Sequence, residues 1–437
     1  MLAYIFMKSK SWIVWAVWIV VLLAALAGFG YTTYDRIATL ISEPTSTTIS
    51  IENMETLRFP AVTICTLNFI REDRRIELFP QNTGLLDEVV SYGLVDAAQC
   101  RSSALMLAST NGFNGGWGNL TSMTGNNISQ ILPEEFANRN ESCRFVGVVC
   151  SYQDFVRVPS VGGLCYTFNG KPPFRSVSGT GVLQGLRLTL DPRDDQHYSS
   201  FFSDSGMKVV VHEPDEPPRP DAEGIAIPVG ISVYIAMRET RTVDRTRYSR
   251  RQCRGRDANN NFNVHREYPY SISACLDDCF YTTIADACGC IEPTLYTPDS
   301  DQYQQMRRCN LSDICCEKDE FFAVKRPCNC PSACDFTTRS FTVSYSLTKR
   351  TTTDDRPISG LQIYYETLNV EVQTTEDAYT PFGLISDIGG NSGLFLGFTL
   401  LTVAEVVLWL TTWGWECAAN KKETGERSAN KKELLHN

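Results

Sequence analysis

The stretch Gly389–Trp415, GGNSGLFLGFTLLTVAEVVLWLTTWGW, determines the fold class of this 437-residue chain. About 20 apolar residues in an α-helix span the ~30 Å hydrocarbon layer of a bilayer, so the stretch predicts a membrane helix. Its interior contains a single ionisable residue, Glu405. A carboxylate at that depth is costly in lipid, which makes Glu405 a candidate functional residue that faces a bundle interior or a water-filled path. The alternative is a Glu that is protonated or paired in a helix contact.

A second uncharged stretch lies near the start of the chain, at Trp12–Tyr31 (WIVWAVWIVVLLAALAGFGY). It is long enough for another crossing. A cleaved signal peptide is the alternative, because Lys8 and Lys10 form a basic start and Ala25–Ala27 offers a small-residue end. The long apolar run and its tryptophans favour a permanent membrane helix.

Basic residues beyond the outer ends of both stretches predict the orientation. They are Lys8, Lys10, Lys421, Lys422, Arg427, Lys431 and Lys432. Because positive charge is enriched on the cytoplasmic side, both termini are expected in the cytoplasm of a plasma-membrane protein. The predicted segments are a short cytoplasmic N-terminus 1–11, a first membrane helix 12–31, an extracellular domain 32–385, a second membrane helix 386–415 and a cytoplasmic tail 416–437.

Composition supports an extracellular domain. Seventeen cysteines indicate an oxidising compartment and a disulfide framework. The domain also contains four glycosylation sequons, at Asn119, Asn127, Asn140 and Asn310. A net charge of -10, from 40 basic and 50 acidic residues, argues against a nucleic-acid partner and favours cations as the mobile partners.

Several segments of the extracellular part predict a packed sheet. The β-branched, apolar runs are 57–67, 183–190, 206–212, 225–236 and 361–373. Residues 70–142 are polar and predict a peripheral lobe. Cys275 and Cys279 lie at i and i+4, so they share one face of a predicted helix. If the stretch 328–334 runs antiparallel to that helix, its cysteines form concentric bridges with it; zinc held by Cys-x-Cys pairs is the alternative.

Six strings of residues resemble one family of membrane proteins. They are FPAVTICTLN (Phe59–Asn68), GLCYTFN (Gly163–Asn169), VVVHEPDEPP (Val209–Pro218), YSISACLDDC (Tyr270–Cys279), CNCPSAC (Cys328–Cys334) and DIGGNSGLFLGFTLLTVAEV (Asp387–Val406). Together they are similar to the degenerin/epithelial sodium channel/acid-sensing ion channel superfamily. The resemblance implies a trimeric channel architecture. Each subunit has two transmembrane helices and a large disulfide-rich α+β extracellular domain of palm, β-ball, knuckle, finger (about 70–142) and thumb (about 253–334).

The resemblance also implies a disulfide pattern. The implied pairs are Cys100–Cys165, Cys143–Cys150, Cys253–Cys334, Cys275–Cys330, Cys279–Cys328 and Cys290–Cys309, with Cys288 bonded to Cys315 or Cys316. One of Cys315 and Cys316 is then left over, and Cys65 is expected to be a free, buried cysteine.

The pore filter of the superfamily is a Gly-Ala-Ser triplet, which Gly397, Phe398 and Thr399 match here. Phe398 is a departure that adds bulk at a constriction and leaves the preference for sodium over potassium open. Gly393 and Gly397 belong to a small-residue face that lets helices approach closely. In a trimer, three copies of Glu405 would form a ring that attracts cations.

The pore mouth is implied at Ser386 and Asp387. Ser386 matches the degenerin position of the superfamily, where a small side chain lets the mouth close. The family's histidines just after the first helix have no counterpart in residues 40–50, so proton gating loses support. Acidic pairs such as Asp215/Glu216 would sense protons only where neighbouring carboxylates raise one another's pKa, and a solvated surface is the favoured interpretation.

We therefore expect a subunit of an amiloride-sensitive, sodium-preferring cation channel that an extracellular peptide, protons or mechanical force opens. Its expected partners are sodium ions, membrane lipid and like subunits in a homo- or heterotrimer. The alternative is a non-conducting two-pass receptor or an accessory subunit that works only in heterotrimers. A hydrolase nucleophile at Ser392 is disfavoured because the site lies at the mouth of a membrane helix. We expect no cofactor, no metal and no enzymatic activity.

Overall fold

The computed structural model describes residues 12–68, 70–79, 100–106, 125–133, 142–160, 163–196, 204–220, 222–247, 253–256, 268–291, 301–310, 313–323, 328–397, 399, 401–413 and 415. The chain forms two compact units. The helical unit comprises residues 1–46, 246–250 and 376–437, and the disulfide-rich unit comprises residues 47–245 and 251–375. Predictions for segments 1–11 and 416–437, for Asn119, Asn140 and Phe398, and for most of the lobe 70–142 lie outside the described residues.

The helices and strands have the following bounds. The helices are α1 Trp12–Ile41, α2 Glu72–Leu78, α3 Ile128–Ile131, α4 Ile272–Cys288, α5 Asp301–Gln304, α6 Ile314–Ala323, α7 Pro381–Leu396 and α8 Leu401–Trp413. The strands are β1 Thr45–Asn53, β2 Leu57–Arg58, β3 Ala61–Thr66, β4 Cys143–Phe145, β5 Val148–Val149, β6 Phe155–Ser160, β7 Gly163–Phe168, β8 Ser176–Val177, β9 Leu186–Leu190, β10 Met207–His212, β11 Ile225–Ile227, β12 Ile231–Asp244, β13 Asp335–Leu347, β14 Ser359–Tyr365 and β15 Asn369–Asp377.

The helical unit contains the apolar helices. Within the described part of the chain, α1 is long and apolar enough to cross a bilayer by itself, and α7 and α8 pass the same test as a pair bent by 85°. α1 and α7 have no buried side chain. Large apolar side chains are instead exposed, for example Trp12 at 79% and Leu394 at 78%. An apolar surface of this extent needs lipid or another protein to cover it.

The segment 386–415, predicted as one helix, is two helices in the structure. The first begins earlier, at Pro381, and stops because Gly397 adopts a left-handed conformation with φ +68°, which glycine tolerates well. At the start of α8, the backbone N–H of Thr402 donates to the hydroxyl of Thr399 at 3.3 Å, and the N–H of Thr399 donates back to the hydroxyl of Thr402 at 3.3 Å. This reciprocal cap fixes a new helix start immediately after the break.

α1 and α7 approach each other closely at one glycine. A Cβ added at Gly28 would lie 2.7 Å from the ring of Phe395, which is closer than carbon atoms pack. The missing side chain therefore makes room for the aromatic ring, as small residues do at helix contacts in membranes. α1 also continues as a helix to Ile41, beyond the predicted membrane segment 12–31.

Two large sheets form the disulfide-rich unit. The eight-stranded sheet has the order β1-β15-β12-β14-β9-β4-β5, and β13 pairs with the other edge of β12. The five-stranded sheet has the order β11-β10-β3-β7-β6, and β2 pairs with β8. Along β14 every second residue is buried, so one face of that strand packs into the core and the other is left more open.

All five predicted strand segments contain strands. Three are divided in two: 57–67 into β2 and β3, 225–236 into β11 and β12, and 361–373 into β14 and β15. The second division falls at Pro228, which cannot donate a ladder hydrogen bond, and at Gly230, whose φ of +73° turns the chain. The core between the strands contains fully buried side chains of Phe59, Ile64 and Phe168.

The structure contains eight disulfides among its described residues. Five have the pairing that the resemblance implied: Cys143–Cys150, Cys253–Cys334, Cys275–Cys330, Cys279–Cys328 and Cys290–Cys309. Cys275 and Cys279 lie on α4, and their bridges nest inside Cys253–Cys334. The predicted concentric arrangement is therefore confirmed.

Three expectations about the cysteines are wrong. Cys165 is bonded to Cys65 and not to Cys100, because β3 and β7 are paired with these two cysteines directly opposite each other, 4.2 Å apart at Cα. Cys100 is instead bonded to Cys315. Cys288 is bonded to Cys316, one of the two partners that the resemblance implied. Since Cys315 is bonded to Cys100, neither Cys315 nor Cys316 is left over, and Cys65 is not free because it is bonded to Cys165.

Candidate functional site

The predicted pore residues surround the break between α7 and α8. Ser386 and Gly393 lie on α7, Gly397 and Thr399 lie in the break, and Glu405 lies on α8. Phe398 is outside the described residues. At the end of α7 the backbone N–H of Gly397 still bonds to the carbonyl of Gly393, and the carbonyl of Thr399 accepts from the N–H of Val403 at the start of α8. Non-helical backbone occurs at membrane depth only where it is buried in protein or lines a water-filled path.

Glu405 is exposed on α8. It is the only ionisable residue of that helix, and it forms no hydrogen bond or ion pair with another described residue of the chain. The alternative of a Glu paired within its own subunit therefore finds no support in the part of the chain that the structure describes. A charge without a partner in one subunit needs water, a cation or other subunits around it.

Asp387 connects three parts of the helical unit. Its Oδ2 accepts a hydrogen bond from the hydroxyl of Tyr379 at 2.8 Å, and the same oxygen lies 3.5 Å from Nε of Arg36 on α1. The neighbouring Ser386 is exposed. The resemblance indicated Asp387 by its place beside the degenerin position. Its partner Arg36 is distant along the chain and Tyr379 lies eight residues before it, and no local pattern indicated either contact.

The buried ion cluster of the disulfide-rich unit centres on Arg339 of β13. Its Nη2 lies 2.6 Å from Glu213 and 3.5 Å from Glu239, and all three side chains are less than a tenth exposed. The hydroxyl of Tyr365 donates to Oε2 of Glu239 at 2.9 Å. Burial raises the pKa of the Tyr365 phenol, so this hydroxyl stays protonated as a donor. The cluster ties β13 and β14 to the end of β10.

His212 is held neutral beside this cluster. The Nδ1 of the ring donates to the carbonyl of Glu213 at 2.8 Å, and Nε2 accepts from the hydroxyl of Thr63 at 2.8 Å. Burial lowers the pKa of the imidazole to about 4, because the charged form would lose its hydration. His212 is therefore a packing residue that joins β10 to β3, and not an available base.

Glu216 is the candidate titratable group of the disulfide-rich unit. It lines a cavity of about 460 Å³ together with His212, Glu213 and Arg339. Burial raises the pKa of its carboxyl to about 7; the positive charge of Arg256 opposes the rise and the negative charge of Glu213 adds to it. A carboxyl with this pKa changes its charge within the extracellular pH range.

Several carboxylates that belong to pairs of adjacent acidic residues in the sequence form ion pairs with arginines. Ion pairs join Asp215 to Arg58 and Arg256, Asp277 to Arg219, Asp195 to Arg193 and Arg356, and Asp354 to Arg356. Glu216, the neighbour of Asp215, has the raised pKa described above. No local pattern in the sequence indicated that Arg339, Glu213 and Glu239 are buried together, because charged residues are ordinarily surface residues.

Two predicted glycosylation sites lie on described residues. Asn127 is exposed, at the start of α3, and Asn310 is half-buried. Their modification stays a prediction. A group of Cys290, Cys309 and Glu317 is close enough to hold a metal, but the two cysteines are bonded to each other and offer no thiolate.

An apolar helix, a broken apolar helix pair whose second helix contains Glu405, and a disulfide-rich α+β unit together indicate a membrane protein of the channel class. The sequence matches the family model "amiloride-sensitive sodium channel" over residues 2–409. The chain is therefore an ion-channel subunit and not an enzyme. It belongs to the amiloride-sensitive sodium channel family, within the degenerin/epithelial sodium channel superfamily.

Individual relatives agree with this assignment. The chain is 26% identical to the mouse (Mus musculus) bile acid-sensitive ion channel over 403 residues, which cover 87% of this chain and 79% of the relative. It is 29% identical to acid-sensing ion channel 1A of Danio rerio over 419 residues, which cover 86% and 78% of the two chains. The solved structure of a proton-activated chloride channel aligns with 91% of this chain and 97% of its own, at a TM-score of 0.33 and 6% identity.

Proposed function

We propose that the chain is a subunit of a trimeric, amiloride-sensitive, sodium-preferring cation channel of the plasma membrane. In this proposal both termini are cytoplasmic, residues 32–385 are extracellular, and α1 with the α7/α8 pair crosses the bilayer. The observation that supports it most strongly is Glu405, which is exposed on an otherwise apolar helix and has no partner among the residues that the structure describes. Three such carboxylates around an axis would concentrate cations and repel anions.

The break between α7 and α8 is the second feature that supports a cation pore. Sodium crosses a narrow pore only where oxygen atoms replace its water shell. The hydroxyls of Thr399 and Thr402 next to the break offer such oxygens, and Glu405 follows them on α8. Phe398 in the place of the family's alanine leaves the ion ratio to be measured.

Protons are the stimulus for which the structure offers a responding group. The carboxyl of Glu216 has a pKa raised to about 7, chiefly by burial, and lies in a cavity with charged neighbours. Protonation removes a negative charge next to Arg256 and Arg339, which changes the balance of charge in the cavity. Peptides and mechanical force stay alternatives within the same channel function.

Voltage-clamp recording of the expressed chain tests the proposal. We expect a cation current that pH steps or peptides evoke and that amiloride blocks, with a reversal potential that shifts when sodium is replaced by potassium. Glu405→Ala should reduce the current, whereas Val406→Ala, the next residue on α8, should leave it unchanged. A bulky Ser386→Trp should hold the pore open. Equal currents in the Glu405 and Val406 variants would contradict the assigned role of the carboxylate.

A non-conducting receptor or accessory subunit is the second candidate, because Phe398 adds bulk where the family has a small residue. This candidate predicts surface expression without current when the chain is expressed alone. Co-expression with other family subunits separates its two forms. A current that appears only in combination, and that changes with Glu405→Ala, identifies an accessory subunit; silence in every combination identifies a receptor.

A further inference from the structure

A second cavity, of about 470 Å³, opens on the outer face of the eight-stranded sheet. Its charged lining residues are Arg187 of β9 and Arg350 in the turn after β13, and none of the described residues that line it is Asp or Glu. The chain as a whole has more acidic than basic residues, with a net charge of -10. The charged residues described in the lining of this cavity are thus both basic, although the chain as a whole is acidic.

Strand register places a further arginine next to Arg187. Arg144 of β4 lies directly opposite it on one side, and Gln362 of β14 lies opposite it on the other. Like charges directly opposite each other on neighbouring strands repel. The side chain of Arg187 is half-buried and makes no ion pair or hydrogen bond with any other residue that the structure describes. An anion bound at this place would relieve the repulsion.

The remaining lining suits an organic anion. Tyr234 of β12 lies in the same cross-strand row as Gln362, and Val182 and Ile358 add apolar surface. In the next row, the hydroxyl of Ser232 packs against Gly360, where an added Cβ would lie only 2.5 Å from it. The volume falls within the range of about 300–1,000 Å³ that is typical of small-molecule sites.

We propose that this cavity is a binding site for a small organic carboxylate. Arg187 and Arg350 bind the carboxylate, because a guanidinium matches a carboxylate with paired hydrogen bonds. The hydroxyls and the amide of the cavity floor orient the ligand, and Tyr234 and Ile358 contact its apolar part. The proposal concerns binding alone and does not depend on whether the chain conducts ions.

Calorimetric titration of the purified full chain in detergent, with benzoate and benzamide, tests the proposal. The two probes have nearly the same shape, and only benzoate is charged. We expect benzoate to bind at least tenfold more tightly than benzamide, and Arg187→Gln to weaken benzoate roughly tenfold or more, because a charged hydrogen bond is lost. Arg238→Gln is the matched control: Arg238 lies on the same sheet, is paired with Glu366, and is not part of the lining.

Any of three outcomes would overturn the proposal. Equal affinity for benzamide would show that charge is not recognised, and an equal effect of Arg187→Gln and Arg238→Gln would show that the cavity is not the site. Displacement of benzoate by millimolar chloride at constant ionic strength would assign the cavity to an inorganic anion. If Arg187→Gln fails to fold, Arg350→Gln provides the same test, because Arg350 is exposed.

Discussion

Glu216→Gln is expected to stabilise the disulfide-rich unit at pH 8 and to leave its stability unchanged at pH 4. Burial raises the pKa of the Glu216 carboxyl from 4.5 to about 7, against the opposing charges of Arg256 and Arg339 and with the support of Glu213 and Asp215. Below pH 4.5 the carboxyl is neutral in the folded and the unfolded chain, so it has no effect. Between pH 4.5 and 7 the unfolded chain releases its proton first, and folding then opposes ionisation.

The size of the effect follows from the two pKa values. Since one pKa unit corresponds to ~1.4 kcal/mol, the buried carboxyl makes the folded unit about 3 kcal/mol less stable above pH 7 than a neutral group of the same shape would. Glutamine is such a group. The stability gained by the substitution should therefore be near zero at pH 4, increase through pH 6, and level off above pH 7.

Thermal unfolding of the purified chain in detergent, measured between pH 4 and 8, is the assay. Glu223→Gln is the control, because Glu223 lines the same cavity but is exposed. Its curve is the reference against which the pH dependence of Glu216→Gln is read. If the two variants gave parallel curves, or if Glu216→Gln had the same effect at every pH, the raised pKa and the proton-sensing role would both be refuted.

Three further substitutions test other parts of the molecule. Arg339→Gln leaves two carboxylates buried without their cation, so denaturation should show a loss of roughly 3–5 kcal/mol, whereas Arg238→Gln, at an exposed ion pair, should have a much smaller effect. Asp387→Asn removes only a partly exposed ion pair, worth ~0–1 kcal/mol, so the melting temperature should hardly move while the half-activating stimulus in recordings shifts; an unchanged response would contradict a place at the gate. Cys100→Ser should lower the free energy of unfolding by ~2–4 kcal/mol and expose a reactive thiol at Cys315, which mass spectrometry detects; a thiol that is newly labelled, relative to the unsubstituted chain, at a cysteine other than Cys315 would disprove the pairing.

Local patterns predicted much of this fold. Apolar length predicted α1, β-branched runs predicted the strand segments, and the i, i+4 spacing of Cys275 and Cys279 predicted a helix face. These features depend only on neighbours along the chain. The break in the second apolar segment was missed because Gly397 also fits a small-residue helix face, and only its backbone conformation shows that the helix ends there.

The candidate sites depend on distant contacts, which a single sequence does not contain. The Cys65–Cys165 bond requires the register of β3 against β7, and these two residues are 100 positions apart. Arg339 meets Glu213 only because β13 passes the end of β10. The raised pKa of Glu216 reflects burial, which neighbouring letters of the sequence do not reveal.

The adjacent cysteines of α6 determine how that helix is held. Cys315 is bonded to Cys100 and Cys316 to Cys288, so two covalent tethers leave the helix at consecutive positions. Consecutive side chains on an α-helix point ~100° apart around its axis. Two tethers at different angles prevent the helix from turning about its own length, which side-chain packing alone would allow. Twisting of α6 is thereby blocked, and the two attached stretches must follow any tilt or slide of the helix.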